Sequence, residues 1–150
     1  MTVEADAKIN LTLEVYGMRA DGFHELRSLV QPIALADTLT IEPTEDGVIA
    51  SDTGYGEKDL VVRAARTLRA ACAASRPNLG ARVHVVKRIP VGGGLGGGSA
   101  DAAAVLRALN VLWRLEKTPE ELAALGAAVG SDVPALVLAQ HYGRPVWMEG

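Results

Sequence analysis

The stretch that decides the fold is residues 90–103, which read P-V-G-G-G-L-G-G-G-S-A-D-A-A. Six of the seven residues 92–98 are glycine, a costly choice unless the backbone must turn tightly or approach a ligand. A strand is predicted before this loop, around Val83 and Val85, and an alanine-rich helix after it, over 99–112. Because the N-terminus of a helix attracts anions, the pattern predicts a phosphate-binding loop. Ser99 is expected either to cap the helix or to donate to a phosphate oxygen.

Other interpretations of this loop fit less well. A flexible linker is not normally wedged between a strand and a helix. Gly92, Gly94 and Gly97 formally give G-x-G-x-x-G, but a dinucleotide site also needs an acidic residue ending a second strand about twenty residues later. That position, 112–117, falls at the end of the predicted helix. A Walker A loop needs a lysine directly after the last glycine, and none is present. The loop is therefore a third kind of phosphate cradle.

Composition and charge narrow the class of protein. The chain has 150 residues, 49% of them hydrophobic, and a net charge of -3, which is typical of one globular domain. The scattered basic residues argue against nucleic acid as a partner. The single cysteine, Cys72, excludes an internal disulfide and fits a reducing compartment. Neither a signal peptide nor a membrane-spanning stretch is predicted, so the expected location is cytoplasmic and no membrane partner is expected.

The first strand is predicted from strict alternation over 7–15. Ile9, Leu11, Leu13 and Val15 fall on one face and polar residues on the other, which predicts a half-buried strand with its apolar face in the core. The remaining elements are predicted at 23–33 and 38–42 (strands), 59–72 (helix), 119–128 and from 131 (helices), and 144–148 (strand). The chain stops within the last strand, so we expect a truncation or a domain cut there.

Several blocks, in order along the chain, resemble the GHMP kinases, named after galactose, homoserine, mevalonate and phosphomevalonate kinases. The G-L-G-G-G-S version of the loop is similar to that of the 4-diphosphocytidyl-2-C-methylerythritol kinases. The other matching blocks are 7–11 (A-K-I-N-L), 19–26 (R-A-D-G-F-H-E-L), 60–65 (L-V-V-R-A-A), 87–90 (K-R-I-P) and 130–134 (G-S-D-V-P).

The resemblance implies a fold and a domain assignment. The fold is α+β, similar to the second domain of ribosomal protein S5, with a mixed sheet and helices on one face. Residues 1–150 correspond to the N-terminal, ATP-binding domain. Family members are about twice as long, and their C-terminal domain is not part of this chain. The isolated chain is therefore expected to be a poor kinase.

The implied activity is transfer of the ATP γ-phosphate to a hydroxyl of 4-diphosphocytidyl-2-C-methyl-D-erythritol, in the non-mevalonate isoprenoid pathway. Lys8 and Asp132 are the implied catalytic pair, and Mg²⁺ is implied by the triphosphate, with ligands unknown. Taken alone, Lys8 is more typical of a solvent-facing strand lysine and Asp132 of a helix cap. The implied nucleotide-binding residues are Lys87, Pro90, Gly92, Gly93, Gly94, Leu95, Gly96, Gly97, Gly98 and Ser99.

Asn10, Phe23 and His24 are the implied residues for the cytidine-bearing substrate. The family usually has Tyr where this chain has Phe23, which keeps the stacking face and loses a hydroxyl. The family has Asn-Leu where this chain has Asp59-Leu60, so Asp59 is expected to cap a helix rather than to read adenine. Two alternatives stay open. One is another GHMP kinase, acting on mevalonate or homoserine, and the other is an inactive relative that only binds nucleotide or RNA. Oligomeric state is not predicted.

Overall fold

The computed structural model of the chain describes residues 1–18, 20, 22, 24–72, 76 and 78–149, with the side chain of His24 left out. These residues form five strands and four helices, together with a 3₁₀ turn at Gly56–Lys58. The strands are β1 (Thr2–Met18), β2 (His24–Thr44), β3 (Ile49–Ser51), β4 (Gly80–Val86) and β5 (Val146–Glu149). The helices are α1 (Leu60–Ala70), α2 (Gly97–Leu112), α3 (Pro119–Gly126) and α4 (Val133–Tyr142).

The strands form a single mixed sheet in the order β1-β2-β4-β3, and β5 pairs with β2. All pairs are antiparallel except β3 with β4. Helices cover one face of this sheet, where Leu39, Ile41 and Val83 are buried, whereas Glu42 and His84 on the other face are exposed. The predicted α+β class, with a mixed sheet and helices on one face, is confirmed.

The two strands predicted at 23–33 and 38–42 are one continuous strand, β2. Its pairing with β1 shifts where the prediction placed a gap, since Asp6 pairs with Ala36 but Lys8 pairs with Pro32. Residues 33–35 of β2 therefore stand opposite Ala7 alone. Such a bulge interrupts the two-residue period without ending the strand. The alternation pattern therefore predicted two strands where the structure has one.

The predicted buried face of β1 was wrong. The exposed fractions along this face are 37% for Ile9, 52% for Leu11 and 60% for both Leu13 and Val15, whereas Lys8 is only 7% exposed. Beyond Lys8, every residue of β1 from Ile9 to Met18 is exposed, and a second register shift lies between Asn10 and Thr12. The apolar alternation predicted a strand correctly but could not say whether a helix would cover it.

The helix α2 lies at the centre of the core. Its alanines Ala100, Ala102 and Ala103 are fully buried, and their small side chains let α1, α4 and the sheet approach closely. The helix begins at Gly97, two residues before the predicted start. Its N-cap is Gly96, so the first of the two expectations for Ser99, that it caps the helix, was wrong. No helix in the described ranges is long and apolar enough to cross a membrane.

The shorter helices begin close to their predicted positions. Thr118 and Glu121 form a reciprocal capping box that starts α3, and Asp132 immediately precedes α4. Among the described residues, however, the Asp132 side chain makes no capping hydrogen bond to α4. Its carboxylate is therefore available for another contact.

Candidate active site

The glycine loop leads into the N-terminus of α2, which lies at the surface of the domain. Gly92, Gly94 and Gly96 have φ of 78°, 73° and 71°, a left-handed conformation that side chains with a Cβ rarely adopt. The first N–H groups of a helix have no acceptor within the helix. Those of Gly97 and Gly98, which begin α2, can therefore donate to an anion placed at the loop.

The loop is fixed to β1 by its own backbone. The Lys8 N–H donates to the Leu95 carbonyl at 3.0 Å. A Cβ at Gly96 would lie 3.1 Å from Cγ and Cε of Lys8, and one at Gly97 would lie 3.3 Å from Nζ of Lys87. The start of α2 therefore lies between two lysine side chains: Lys8 packs next to Gly96, and Lys87 packs next to Gly97.

A cavity of about 270 Å³ lies on the Lys87 side of the loop. Nine of the ten predicted nucleotide-binding residues line it: Lys87, Pro90, Gly92, Gly93, Gly94, Leu95, Gly96, Gly97 and Gly98. The tenth, Ser99, turns towards the segment before α4, where a Cβ on Gly130 would be 3.8 Å from its Oγ. Tyr55, Lys58 and Leu60 complete part of the opposite wall.

The predicted catalytic pair is in contact. Nζ of Lys8 lies 3.2 Å from Oδ2 of Asp132 and donates to Oδ1 of Asn10 at 2.7 Å. The Lys8 side chain is 9% exposed and that of Asp132 is 28% exposed, so the acid remains within reach of a ligand. Of the described residues, those that line the cavity include Lys87 but neither Lys8 nor Asp132. The pair therefore lies next to Gly96, outside the lining of the cavity.

Lys87 is held by two buried carboxylates. Its Nζ donates to Oδ2 of Asp101 at 2.7 Å and to Oδ2 of Asp37. Asp37 also accepts from the backbone N–H groups of Arg88 and Ile89. The cluster ties β2, the segment after β4 and α2 together at the cavity.

The pKa values in this cluster diverge. Burial would raise the pKa of Asp37, but the hydrogen bonds from Lys87, Ile89 and Arg88 together lower it. Burial raises the pKa of Asp101 to about 7, against the opposing effect of Lys87. Burial would lower the pKa of Lys87, but its bonds to Asp101 and Asp37 raise it. The environment therefore favours the charged forms of Lys87 and Asp37, whereas burial favours the protonated form of Asp101.

Asp59 is fully committed to structure. Its Oδ1 accepts from the Val61 N–H at 2.9 Å, which caps α1. Its Oδ2 accepts from Ser51 Oγ at 2.7 Å and from Thr53 Oγ1 at 2.5 Å. The predicted capping role is confirmed.

Of the predicted substrate residues, the structure brings Asn10 to Lys8. Phe23 lies outside the described residues, and His24 begins β2 with a side chain that is not described. Asp37 and Asp101 were missed by the sequence reasoning, although a signal existed. Asp37 shares the alternation of the buried Leu39 and Ile41, and an acid at such a position needs a buried partner.

No group of three or more His, Cys, Asp or Glu side chains suited to a metal ion occurs in the part of the chain that the structure describes. A dedicated protein cage for Mg²⁺ is therefore not formed by these residues alone. Magnesium commonly binds through substrate phosphates with only one or two protein carboxylates.

Comparison with known proteins gives a consistent result. Residues 59–140 match the family model of the GHMP kinases N terminal domain. The chain is 47% identical, over 97% of its length, to the 4-diphosphocytidyl-2-C-methyl-D-erythritol kinase of Halorhodospira halophila, and covers 50% of that protein. The chain thus spans about half the length of the curated relatives it matches.

Solved structures show the same similarity. A crystal structure of 4-(cytidine 5'-diphospho)-2C-methyl-D-erythritol kinase superimposes with a TM-score of 0.81 at 43% identity, covering all of this chain and 52% of that one. Streptococcus pneumoniae phosphomevalonate kinase superimposes with a TM-score of 0.67 at 18% identity, over 93% of this chain and 47% of that one. At that identity the second likeness concerns the fold alone.

Proposed function

The chain belongs to the GHMP kinase family, and from that premise we propose that it is the N-terminal, ATP-binding domain of a kinase for 4-diphosphocytidyl-2-C-methyl-D-erythritol. Residues 1–150 make up this domain. The single observation that carries the proposal is the contact of Lys8 with Asp132 beside the glycine loop. The relatives named for this activity, at 47% identity over nearly the whole chain, support the choice of substrate.

The glycine loop binds the triphosphate. The N–H groups at the start of α2 donate to phosphate oxygens, and the positive end of the helix dipole adds to the attraction. Lys87 supplies a cation at the same cavity. Mg²⁺, which the triphosphate implies, would bind through phosphate oxygens with few protein ligands and would neutralise part of the phosphate charge.

Phosphoryl transfer needs positioning, charge neutralisation and a group that receives the hydroxyl proton. The substrate hydroxyl oxygen forms a bond to the γ-phosphorus, the bond from phosphorus to the ADP oxygen breaks, and Asp132 accepts the proton. Lys8, whose Nζ lies 3.2 Å from the Asp132 carboxylate, orients that acid and stabilises the charge that develops on the transferred group. Asn10 orients Lys8 through its amide oxygen, 2.7 Å from Nζ, and can contact the same substrate.

The cytidine end of the substrate is assigned to Phe23 and His24, Phe23 stacking on the base and His24 bonding to it. The partner is thus a small molecule. With a net charge of -3, neither nucleic acid nor a membrane is proposed as a partner, and the location proposed is the cytoplasm.

Acceptor choice tests the activity. The chain is supplied with ATP labelled at the γ-phosphate and with one acceptor at a time: the cytidine-bearing substrate, mevalonate or homoserine. It is assayed alone and joined to the second half of the Halorhodospira halophila relative. We expect label transfer to the cytidine-bearing acceptor only, weakly by the chain alone and faster in the joined protein. Transfer to mevalonate or homoserine instead would replace this proposal by another GHMP kinase activity.

Phe23→Ala tests the substrate end separately. The loss of one base–aromatic stack should weaken binding of the cytidine-bearing substrate by about 1–3 kcal/mol, while ATP affinity stays unchanged. Calorimetry with each ligand measures both. A variant that unfolds without a selective loss would instead assign Phe23 to the core.

A further inference from the structure

One lysine and two carboxylates lie in contact at the nucleotide cavity, so acidic groups outnumber basic ones there. Lys87 is the cation shared by Asp37 and Asp101, and the two carboxylates are 0% and 2% exposed. With both acids ionised the cluster carries a net negative charge. It borders the cavity where the still more negative triphosphate is to bind, since Lys87 and Asp101 both line that cavity.

We propose that Asp101 couples nucleotide binding to proton uptake: when the triphosphate enters the cavity, Asp101 takes a proton from solution on its Oδ1 oxygen. This rests on the proposed function, because ATP is the ligand. Asp101 is thereby a positioning residue, which holds Lys87 in the cavity and sheds its own negative charge when the ligand arrives.

The hydrogen bonds single out Asp101 rather than Asp37 as the acceptor of the proton. Asp37 uses both oxygens, Oδ1 for the N–H groups of Arg88 and Ile89 and Oδ2 for Lys87. Asp101 uses Oδ2 for Lys87, whereas its buried Oδ1 has no hydrogen-bond partner among the described residues. A buried carboxylate oxygen without a donor favours the protonated acid.

Binding of the nucleotide can affect Asp101 in two ways, and both make its ionised form less stable. If Lys87 stays on its carboxylates, the phosphate charge disfavours a second negative charge nearby. If Lys87 turns towards the phosphate, Asp101 loses its cation. Both routes make the ionised form less stable, so both lead to proton uptake.

Charged groups on the neighbouring elements do not offset this effect. Two more charged residues line the cavity, Lys58 and Asp59. Lys58 is exposed to solvent, and the Asp59 carboxylate already accepts hydrogen bonds from three donors. Lys8 on β1 is paired with Asp132 before α4. The remaining charged side chains of α1, α2 and α3 contact other groups: Arg63, Arg66, Arg69, Arg107, Glu120 and Glu121.

The pKa of Asp101 in the free protein sets the pH range in which nucleotide binding should take up a proton. Burial raises the pKa of Asp101 to about 7, and the nucleotide raises it further. Above pH 7 the free protein therefore binds less than one proton at Asp101 and the complex binds more. Affinity for ATP should fall as pH rises through this range, by up to about tenfold per pH unit for one full proton.

Calorimetric titration of the chain with ATP at pH 7.5, in buffers of different ionisation enthalpy, counts the protons. We expect the parent chain to take up at least about half a proton more per nucleotide than Asp101→Asn, which mimics the protonated acid. Ionisation of the nucleotide itself cancels in this difference. Asp46→Asn is the matched control, because that carboxylate also pairs with a basic side chain, Arg82, but hydrogen bonds hold its pKa at about 2. It should behave as the parent does.

Equal proton counts in the parent and in Asp101→Asn would overturn the inference while leaving the proposed function intact. Relative proton release by the parent would also overturn it, since this would mean that a cation binds Asp101. Absence of ATP binding by the parent would overturn both proposals. If Asp101→Asn does not fold, the ¹³C carboxyl resonance of Asp101 in the parent decides. Its titration midpoint should move to higher pH with ATP, and an unchanged midpoint would contradict the inference.

Discussion

Lys8 and Lys87 flank the start of α2, and they are held in opposite ways. Lys8 contacts one acid, Asp132, whose side chain is 28% exposed. Lys87 contacts two acids, and both are almost completely buried. An acid in reach of solvent can receive a proton directly from a substrate, whereas buried acids are out of a substrate's reach and act through the lysine that they hold. We therefore propose a catalytic role for the contact of Lys8 with Asp132 and electrostatic support for the contacts of Lys87.

Asp132→Asn should have the largest effect on the exposed side. The variant keeps the shape of Asp132 but removes its charge and basicity, so we expect kcat to fall by ~10²–10⁴-fold. Turnover is measured in residues 1–150 joined to the second half of the Halorhodospira halophila relative. ATP binding and folding should be preserved.

Asp52→Asn is the control for that loss, because Asp52 contacts His84 away from the glycine loop. It should turn over at the parent rate. A capping role for Asp132 would instead give near-normal kcat with a modest loss of stability, and that pattern would refute the catalytic assignment.

Replacement of each lysine by methionine should separate the two sides by stability. Lys87→Met leaves Asp37 and Asp101 buried without their cation, so the free energy of unfolding should fall by about 3 kcal/mol. Lys8→Met leaves Asp132 accessible to water, so the loss should stay below about 1 kcal/mol. Urea denaturation of the 150-residue chain measures both.

A second change can confirm the cause of the larger loss. Asp101→Asn added to Lys87→Met removes one of the stranded charges and should recover part of the stability. Equal losses for the two lysine variants, or no recovery in the double variant, would mean that the buried carboxylates do not depend on Lys87.

Two glycines of the loop provide the smallest expected effects. Gly96→Ala places a Cβ in a left-handed residue, 3.1 Å from Lys8 carbons, and should lower stability by about 1–2 kcal/mol. Gly98→Ala adds a Cβ in ordinary contact with Leu60, at 3.4 Å, inside the first turn of α2. It should be neutral or stabilise by about 0.5 kcal/mol. Thermal denaturation that ranks the two variants the other way would contradict the loop geometry.

The sequence predicted the elements around the glycine loop well because glycine, proline and capping residues act locally. Asp59 caps α1, and Thr118 with Pro119 starts α3. The contact of Lys8 with Asp132 was implied by the family resemblance alone, since a strand residue and a distant helix start share no local signal. Burial on β1 could not be predicted, because alternation in Ile9, Leu11 and Leu13 does not reveal where the helices stop covering the sheet.

The sequence predicted only one member of the Lys87 cluster, the lysine itself. Lys87 was assigned to the nucleotide, but its dependence on Asp37 and Asp101 comes from three elements that meet only in the folded chain. The lesson is that an acid on a buried face, such as Asp37, is a stronger indication of a site than an exposed lysine.

The most direct measurement of the central proposal, that the start of α2 binds the triphosphate, is a titration of the ¹⁵N-labelled chain with MgATP, followed by its amide resonances. We expect the amides of Gly96, Gly97 and Gly98 to shift saturably and by more than any others, while Gly47, in the loop between β2 and β3, stays unchanged. Saturable shifts elsewhere with the loop amides unmoved would contradict the proposal.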